Sequence, residues 1–312
     1  MTGWLINDCL STIPGVKGFW HDLLDWMPSL EDRTGGYTAF NVLPDKIDQE
    51  ASTIAPDYII RNASYFRALN IDAFTISLMQ DPKIKKAWMR ANQIGVCNKS
   101  DVVVFNSQLM WEHFEHHTDV KHKEIIPLGT DFDLFHPYAD DYCEEQRQRL
   151  GILENSIVWV GADNRYKGMK TLRWLIDNTG YNFCLVMKDG TVIENDRCRT
   201  FTKVPHSELV HIYNACSLCL CTSVFETLHL SSIEAGACGL PVVTTDVGIH
   251  RDQPSGEWGE RIPDGTSLGM TKSILDKAMA QIEIYRAREH FLVRGLDVPT
   301  CRSKWTALVE SI

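Results

Sequence analysis

The chain has 312 residues, a net charge of −10, 44% hydrophobic residues and 23% charged residues. This length favours two domains of about 150 residues each, and the composition excludes a disordered protein. The acidic excess excludes broad, sequence-blind binding to nucleic acid, which needs a surplus of Lys and Arg. No apolar run approaches the ~20 residues that a membrane-spanning helix requires.

The ten cysteines are scattered along the chain, and several lie in apolar runs. Residues 1–10 carry neither a basic region nor a long apolar stretch, so we expect no secretory signal and reduced thiols in the cytoplasm. Cys216, Cys219 and Cys221 contain a Cys-x-x-Cys spacing within the apolar segment 215–223. Because no second pair accompanies them at zinc-binding spacing, we interpret them as packing residues.

Short apolar runs alternate with longer amphipathic stretches along most of the chain. The predicted strands are 4–6, 73–78, 102–105, 157–160, 183–187, 218–222 and 241–244. The predicted helices are 19–26, 84–96, 108–116, 169–177, 209–215 and 231–238. Strands separated by helices imply right-handed crossovers and a parallel α/β sheet.

The alternation pauses at residues 137–155, which lack an apolar strand and contain Asp140, Asp141, Glu144 and Glu145. This segment is predicted to hold the interdomain link and one helix. We therefore expect two Rossmann-like, doubly wound parallel-sheet domains facing a cleft. They comprise residues 1–138, with a C-terminal helix 296–312 packing back on them, and residues 139–295. Ligands of such sheets bind at the carboxyl ends of the strands.

The segment 225–243 is the most informative part of the chain. A predicted strand ends near Ser223, the following loop carries Glu226, and a helix opens near Leu230 and contains Glu234. Free backbone N–H groups at a helix start suit a diphosphate. The two carboxylates suit the hydroxyl groups of a sugar and a ribose, from which they accept hydrogen bonds. A solvated helix face is the alternative, but the small, apolar 233–238 stretch around Glu234 argues against it.

This segment resembles the Glu-x7-Glu signature of retaining glycosyltransferases of the GT-B fold, family 4. Residues 125–135 are similar to that family's Ile-Pro-Asn-Gly-Val-Asp…Phe linker strand, and 160–168 are similar to its Val-Gly-Arg…Lys-Gly loop. Residues 204–213 resemble the helix before the nucleotide pocket, and 14–18 stand where the family has its first glycine-rich loop. The short first domain also resembles compact transferases encoded by large algal viruses, for which the host cytoplasm would be the location.

The resemblance implies roles for individual residues. Glu234 would hold the ribose hydroxyls, Glu226 would face the hydroxyls of the donor sugar, and Lys167 would offset the charge of the diphosphate. Backbone amides after Glu226 would meet the phosphates, and glycines of the first domain would let its loop approach the donor. The further donor-binding positions are Thr227, Leu228, His229, Leu230, Gly15, Gly18 and Val204.

Three departures from the family pattern stand out. The arginine that follows Val-Gly is Ala162 here, and Arg165 is the candidate to replace it. The family's Gly-Phe-Gly is replaced by residues 227–229, Thr-Leu-His, which bears on how closely the backbone meets the sugar. The His-Asp pair after a strand of the first domain is Gln80-Asp81, and Gln80 can hydrogen-bond a sugar without changing charge.

The resemblance implies transfer of a hexose, with retention, from a nucleotide-diphosphate sugar to a hydroxyl of a glycan or another acceptor. GDP-mannose is the leading donor candidate. No metal or other cofactor is expected, because Asp131 and Asp133, which spell an Asp-x-Asp motif, lie inside the linker pattern. Four histidines with partly helical metal spacing are interpreted as a solvated helix end: His113, His116, His117 and His122.

Other functions remain open on the residues alone. A nucleotide-sugar epimerase would use Asp81 and His229 as its acid and base. A catalytically degenerate interaction module is suggested by Ala162 and the missing Gly-Phe-Gly, but the joint presence of Glu226, Glu234 and Lys167 opposes it. A dinucleotide-dependent dehydrogenase is disfavoured because Gly15-x-x-Gly18 lacks the full Gly-x-Gly-x-x-Gly fingerprint.

Overall fold

The computed structural model describes residues 3–7, 37–40, 44–53, 55–62, 67–82 and 86–311. The loop with Gly15 and Gly18 and the helix predicted at 19–26 lie outside these residues. The chain divides into two compact units, Met1–Leu128 with Cys301–Ile312, and Gly129–Thr300. The whole 137–155 segment, in which the interdomain link is predicted, belongs to the second unit.

The first unit contains a parallel sheet in the order β2-β1-β3-β4-β5-β6. Its strands are β1 Gly3–Asn7, β2 Tyr37–Phe40, β3 Tyr58–Asn62, β4 Phe74–Met79, β5 Val102–Phe105 and β6 Lys123–Ile125. Its described helices before residue 128 are α1 Pro44–Ala51, α2 Ala87–Lys99 and α3 Gln108–Glu112. Each residue of β3 and β5 is buried, as expected for central strands of a parallel sheet.

The second unit contains a parallel sheet in the order β12-β11-β10-β7-β8-β9. Its strands are β7 Ser156–Gly161, β8 Asn182–Met187, β9 Cys198–Thr202, β10 Leu218–Cys221, β11 Val242–Thr245 and β12 Gly259–Ile262. The helices are α4 Asp140–Leu150, α5 Met169–Asn178, α6 Leu209–Asn214, α7 Leu230–Ala237, α8 Leu268–Ala280, α9 Ala287–Val293 and α10 Val298–Glu310, the last of which continues into the first unit. The strand order reverses between β7 and β10, and such a switch point forms a ligand crevice in doubly wound sheets.

The second sheet has a continuous apolar core on one face. Helix α5 places Met169, Leu172, Leu175 and Ile176 on one side, and these side chains are buried together with Trp159 and other strand residues. The i, i+3, i+6 and i+7 spacing gives α5 its apolar face, and burying each of these side chains contributes roughly 1.5–3 kcal/mol. This packing holds β7, and therefore the loop that follows it, in a fixed place.

The expected fold of two parallel α/β sheets is confirmed. The prediction of a linker strand over residues 125–135 is wrong beyond Ile125, where β6 ends. The Asp131 carboxylate instead accepts hydrogen bonds from the N–H groups of Asp133 and Leu134, both at 2.9 Å, and so caps a turn. Helix α3 also ends earlier than predicted, at Glu112. No helix in the described part of the chain combines the length and apolarity needed to cross a bilayer.

Candidate functional site

The loops after β7 and β10 meet at the switch point of the second sheet. The Val224 N–H donates to the Tyr166 carbonyl at 2.7 Å, and the Thr222 hydroxyl donates to the Lys167 carbonyl at 2.9 Å. The Trp159 indole N–H donates in turn to the Thr222 hydroxyl at 3.0 Å. The two loops are therefore joined to each other and to the buried core below them.

Two glycines permit these close approaches. Gly168 has φ +66°, and a Cβ placed there would lie 1.7 Å from the Thr222 carbonyl oxygen. Gly248, after β11, has φ +56°, and a Cβ there would lie 2.7 Å from the Leu228 carbonyl oxygen. Since the left-handed region also disfavours side chains, both positions require glycine. Loops from three neighbouring strands, β7, β10 and β11, thus converge on one place.

Lys167 and Glu226, both predicted site residues, form an ion pair at this junction. The Lys167 Nζ lies 2.6 Å from Glu226 Oε1, and the Ser223 hydroxyl donates to the same oxygen at 2.9 Å. Burial alone would raise the pKa of Glu226, but the charges of His229 and Lys167 and the hydrogen bonds of Lys167 and Ser223 lower it overall. The carboxylate is therefore ionised and holds the lysine ammonium in place.

Arg165, the predicted substitute for the family's arginine, has different surroundings. It is exposed on the short 3-10 turn Arg165–Lys167. Its guanidinium lies over the Tyr166 ring, 5.2 Å from the centroid, and donates to the Tyr166 hydroxyl at 3.3 Å. The structure thus places Lys167 against Glu226 and Arg165 against an aromatic ring.

Glu234 lies inside α7 and is only 6% exposed. The buried Tyr213 hydroxyl donates to its Oε2 at 2.9 Å, and His206 Nε2 lies 2.8 Å from its Oε1. A carboxylate oxygen accepts hydrogen bonds, so this contact requires a proton on His206 Nε2. The hydrogen bond to Glu234 is the largest cause of a raised pKa at His206. Val204, predicted at the nucleotide pocket, lies half-buried in the same stretch of chain as His206.

His229 stands where the family pattern has its second glycine, and it retains a left-handed backbone with φ +67°. It precedes α7 directly, so its conformation sets the direction in which that helix starts. A left-handed non-glycine residue costs roughly 1–2 kcal/mol. The Ser232 hydroxyl donates to the His229 carbonyl at 2.8 Å and stabilises this turn. Of the other predicted donor positions beside it, Leu228 is buried, and Thr227 and Leu230 are half-buried.

The His229 ring is buried near a second group of titratable side chains. Burial lowers its pKa, but neighbouring Cys221 and Glu226 raise it overall. Burial raises the pKa of Cys221, yet the opposing effect of His229 and a hydrogen bond from Thr244 bring it to about 7. His250, also buried, has a pKa well below its usual value because of burial and the nearby His229.

Gln80, a predicted site residue, belongs to the first unit. It follows β4 at the carboxyl edge of that sheet, is buried, and its carbonyl accepts a hydrogen bond from Asn106 Nδ2 at 3.1 Å. The Asp81 carbonyl accepts from Gln93 Nε2 at 2.8 Å. Gly15 and Gly18, the other predicted residues of this unit, lie outside the described residues.

The residues that sequence reasoning missed are the partners of the predicted ones. Ser223 bonds Glu226, while Tyr213 and His206 bond Glu234. Tyr213 and His206 both lie in segment 204–213, which resembles the family's helix before the nucleotide pocket. In the structure this segment is a 3-10 turn, His206–Glu208, followed by α6. Across the described residues, no cluster of three or more His, Cys, Asp or Glu side chains is arranged to hold a metal ion.

Known proteins resemble parts of the chain in sequence. Residues 187–276 match the family described as glycosyl transferases group 1. A D-inositol 3-phosphate glycosyltransferase of Corynebacterium glutamicum (strain R) is 28% identical over 176 residues, which are 48% of this chain and 42% of that protein. A D-inositol 3-phosphate glycosyltransferase of Corynebacterium jeikeium (strain K411) is 30% identical over 148 residues, which are 40% of this chain and 35% of that protein. The matched region spans less than half the length of these relatives.

Solved structures resemble the whole chain in fold. Sucrose-phosphate synthase (tll1590) from Thermosynechococcus elongatus has a TM-score of 0.79 at 15% identity, covering 100% of this chain and 99% of that one. Anabaena Alr3699/HepE in complex with UDP-glucose has a TM-score of 0.76 at 17% identity, with 100% of both chains covered. The protein thus has the two-sheet GT-B fold, and the part that contains Glu226 and Glu234 is similar to glycosyl transferases group 1.

Proposed function

We propose that the protein is a retaining glycosyltransferase that moves a hexose from a nucleotide-diphosphate sugar to a hydroxyl acceptor. The Lys167–Glu226 ion pair at the switch point carries this proposal, because it puts a cation and a hydrogen-bond acceptor at one ligand crevice. Glu234 adds a buried carboxylate on the helix that follows Glu226. The names of the curated relatives and of the family matched at 187–276 support the same reaction class.

In this reaction the acceptor oxygen attacks the anomeric carbon on the face from which the diphosphate leaves. The bond between the acceptor oxygen and the anomeric carbon forms as the bond to the phosphate oxygen breaks. The acceptor proton passes to a phosphate oxygen of the leaving group. Lys167 and the amides at the start of α7 stabilise the charge that develops there, and Glu226 orients the hydroxyls of the sugar.

In this proposal, a lysine and backbone amides of the protein stabilise the negative charge of the donor diphosphate. Lys167 is already held at the junction by Glu226, and α7 starts at Leu230 on the same loop as Glu226, so the positive end of its dipole follows that loop. Asp131, part of the Asp-x-Asp motif, uses its carboxylate to cap a turn. We therefore propose that turnover requires no divalent metal.

Two nucleotide sugars are the proposed donors, and they differ in both base and sugar. GDP-mannose is the first candidate, and UDP-glucose is the second because the Anabaena structure is in complex with it. Calorimetric titration with GDP-mannose, UDP-glucose and UDP-N-acetylglucosamine tests both. Binding of at least one donor, and an acceptor product that keeps the donor's anomeric configuration, is the expected result. Absence of binding to the whole panel would refute the proposal.

The role of Glu234 has its own test with bare GDP and UDP. Glu234→Ala is expected to weaken nucleotide binding by about 1.5–3 kcal/mol for each charged hydrogen bond that is lost. Glu145→Ala, at an exposed position of α4, is the matched control and should bind as the wild type does. Unchanged affinity in Glu234→Ala would remove Glu234 from the nucleotide site.

A further inference from the structure

The two side chains that hold Glu234 differ in their freedom to move. Tyr213 is fully buried, and its hydroxyl donates to Oε2 from within the core. His206 binds Oε1, yet 56% of its side chain is exposed, against 8% for Glu234. Solvent, and any ligand, therefore reaches the Glu234 carboxylate from the side that His206 covers.

His206 packs against a buried aromatic side chain on one side and faces solvent on the other. Its ring forms a T-shaped contact with Phe135, with 5.1 Å between the centroids, and Phe135 is fully buried. Arg288 holds the Phe135 backbone in place by donating to the Phe135 carbonyl at 2.9 Å and to the Phe132 carbonyl at 3.2 Å. His206 itself starts a short 3-10 turn in an exposed stretch of chain. Rotation of its side chain would uncover Glu234 without disturbing the core.

We propose that His206 is the movable part of the ribose-binding site: its imidazole occupies Glu234 Oε1 in the free protein, and a bound nucleotide takes that oxygen in its place. This inference rests on the proposed function, because it requires Glu234 to accept hydrogen bonds from ribose hydroxyls. Tyr213 remains on Oε2 throughout and keeps the carboxylate in position. His206 is then a competitor of the ligand, and its strength as a competitor depends on its charge.

The charged groups around His206 set the direction of that dependence. Glu234 faces it from α7 and Asp131 acts on it from the turn after β6, and both favour the protonated ring. Tyr213, from α6, reaches it only through Glu234 and stays neutral, since its pKa is raised far above the usual value. A protonated imidazole adds the attraction between opposite charges to its hydrogen bond with the carboxylate. Nucleotide affinity should therefore fall as the pH falls through the raised pKa of His206.

The test is calorimetric titration of GDP-mannose and UDP-glucose between about pH 6 and 8.5, a range that spans the usual and raised pKa of a histidine. Both phosphates of these donors are esterified, so the donors do not titrate in this range. We expect wild-type affinity to drop by up to about fivefold at the acid end, the contribution of a partly exposed ion pair. His206→Ala and His206→Gln should lose that drop, and His206→Ala should bind at least as tightly as the wild type.

His211→Gln is the matched control. His211 lies on α6 and bonds the Tyr138 hydroxyl at 3.0 Å, so this variant should leave the pH profile unchanged. An identical pH profile in wild type and His206→Ala would overturn the inference while the proposed function stands. Weaker binding by His206→Ala at every pH would overturn it too, since His206 would then support the ligand. If the wild type binds none of GDP-mannose, UDP-glucose and UDP-N-acetylglucosamine at any pH, the proposed function fails, and this inference fails with it.

Discussion

Lys167 and Arg165 lie on one short turn but have different partners, the Glu226 carboxylate and the Tyr166 ring. If both cations reach the leaving diphosphate, removing either lowers kcat more than it weakens sugar recognition. We expect Lys167→Ala to lower kcat/KM by about a hundredfold or more, as for other groups that stabilise a developing charge. The two losses should be non-additive, because both cations act on the same charge.

A double-mutant cycle on kcat/KM with Lys167→Ala, Arg165→Ala and the double variant measures this coupling. Lys170→Ala, at an exposed position of α5, controls for the loss of a positive charge from the same surface. Wild-type kinetics in Arg165→Ala would show that Arg165 remains on the Tyr166 ring and that Lys167 acts alone.

The predicted residues were recognisable because their types and spacing repeat a family motif. Glu226, Glu234 and Lys167 are of this kind, and the structure places Lys167 and Glu226 in contact. His206 and Tyr213 could not be assigned from sequence, because their contact with Glu234 depends on how the chain before α6 packs against α7. Such partners are set by tertiary proximity rather than by spacing along the chain.

At the scale of the elements, the loop after β7 depends on the backbone of Gly168. In Gly168→Ala the new Cβ meets the Thr222 carbonyl, so the loops after β7 and β10 must separate. We expect a loss of about 2–4 kcal/mol in the free energy of unfolding, measured with urea, since strain and a lost loop contact add together. Gly190→Ala is the matched control, because its φ is +85° but nothing lies within 4 Å of its Cβ. Equal losses in the two variants would show that the loops adjust without cost.

The composition and burial of each strand decide whether it could be predicted from the sequence. Strands β5 and β10 consist of apolar residues and are buried throughout, so their runs are visible in the sequence. Strand β3 was missed because its apolar run has only three residues and ends at Arg61 and Asn62, although both are buried. Strands β9 and β12 form the two edges of the second sheet and carry polar and charged residues among their apolar ones. Strand β9 is half-exposed, and in β12 Glu260 and Arg261 break the apolar run, so the hydrophobic pattern is weak in both.

For the whole molecule, the proposal predicts activity without a divalent metal. Turnover measured with excess EDTA should equal turnover without it, because Lys167 and the α7 amides take the place of a cation at the diphosphate. Asp131→Asn is the informative variant, since Asn retains the turn-capping oxygen and loses the charge. It should remain as active as the wild type. Loss of activity with EDTA and its recovery with Mn²⁺ would instead assign a metal to Asp131 and Asp133.

The hydrogen bond between the two loops has a consequence for exchange with solvent. The Val224 residue is 70% exposed, yet its amide donates to the Tyr166 carbonyl at 2.7 Å. An exposed loop amide normally exchanges with deuterium almost freely, whereas this one exchanges only when the two loops part. The exchange rate of the Val224 amide therefore reports how often the crevice opens. A ligand that bridges Lys167 and the start of α7 should lower this exchange rate.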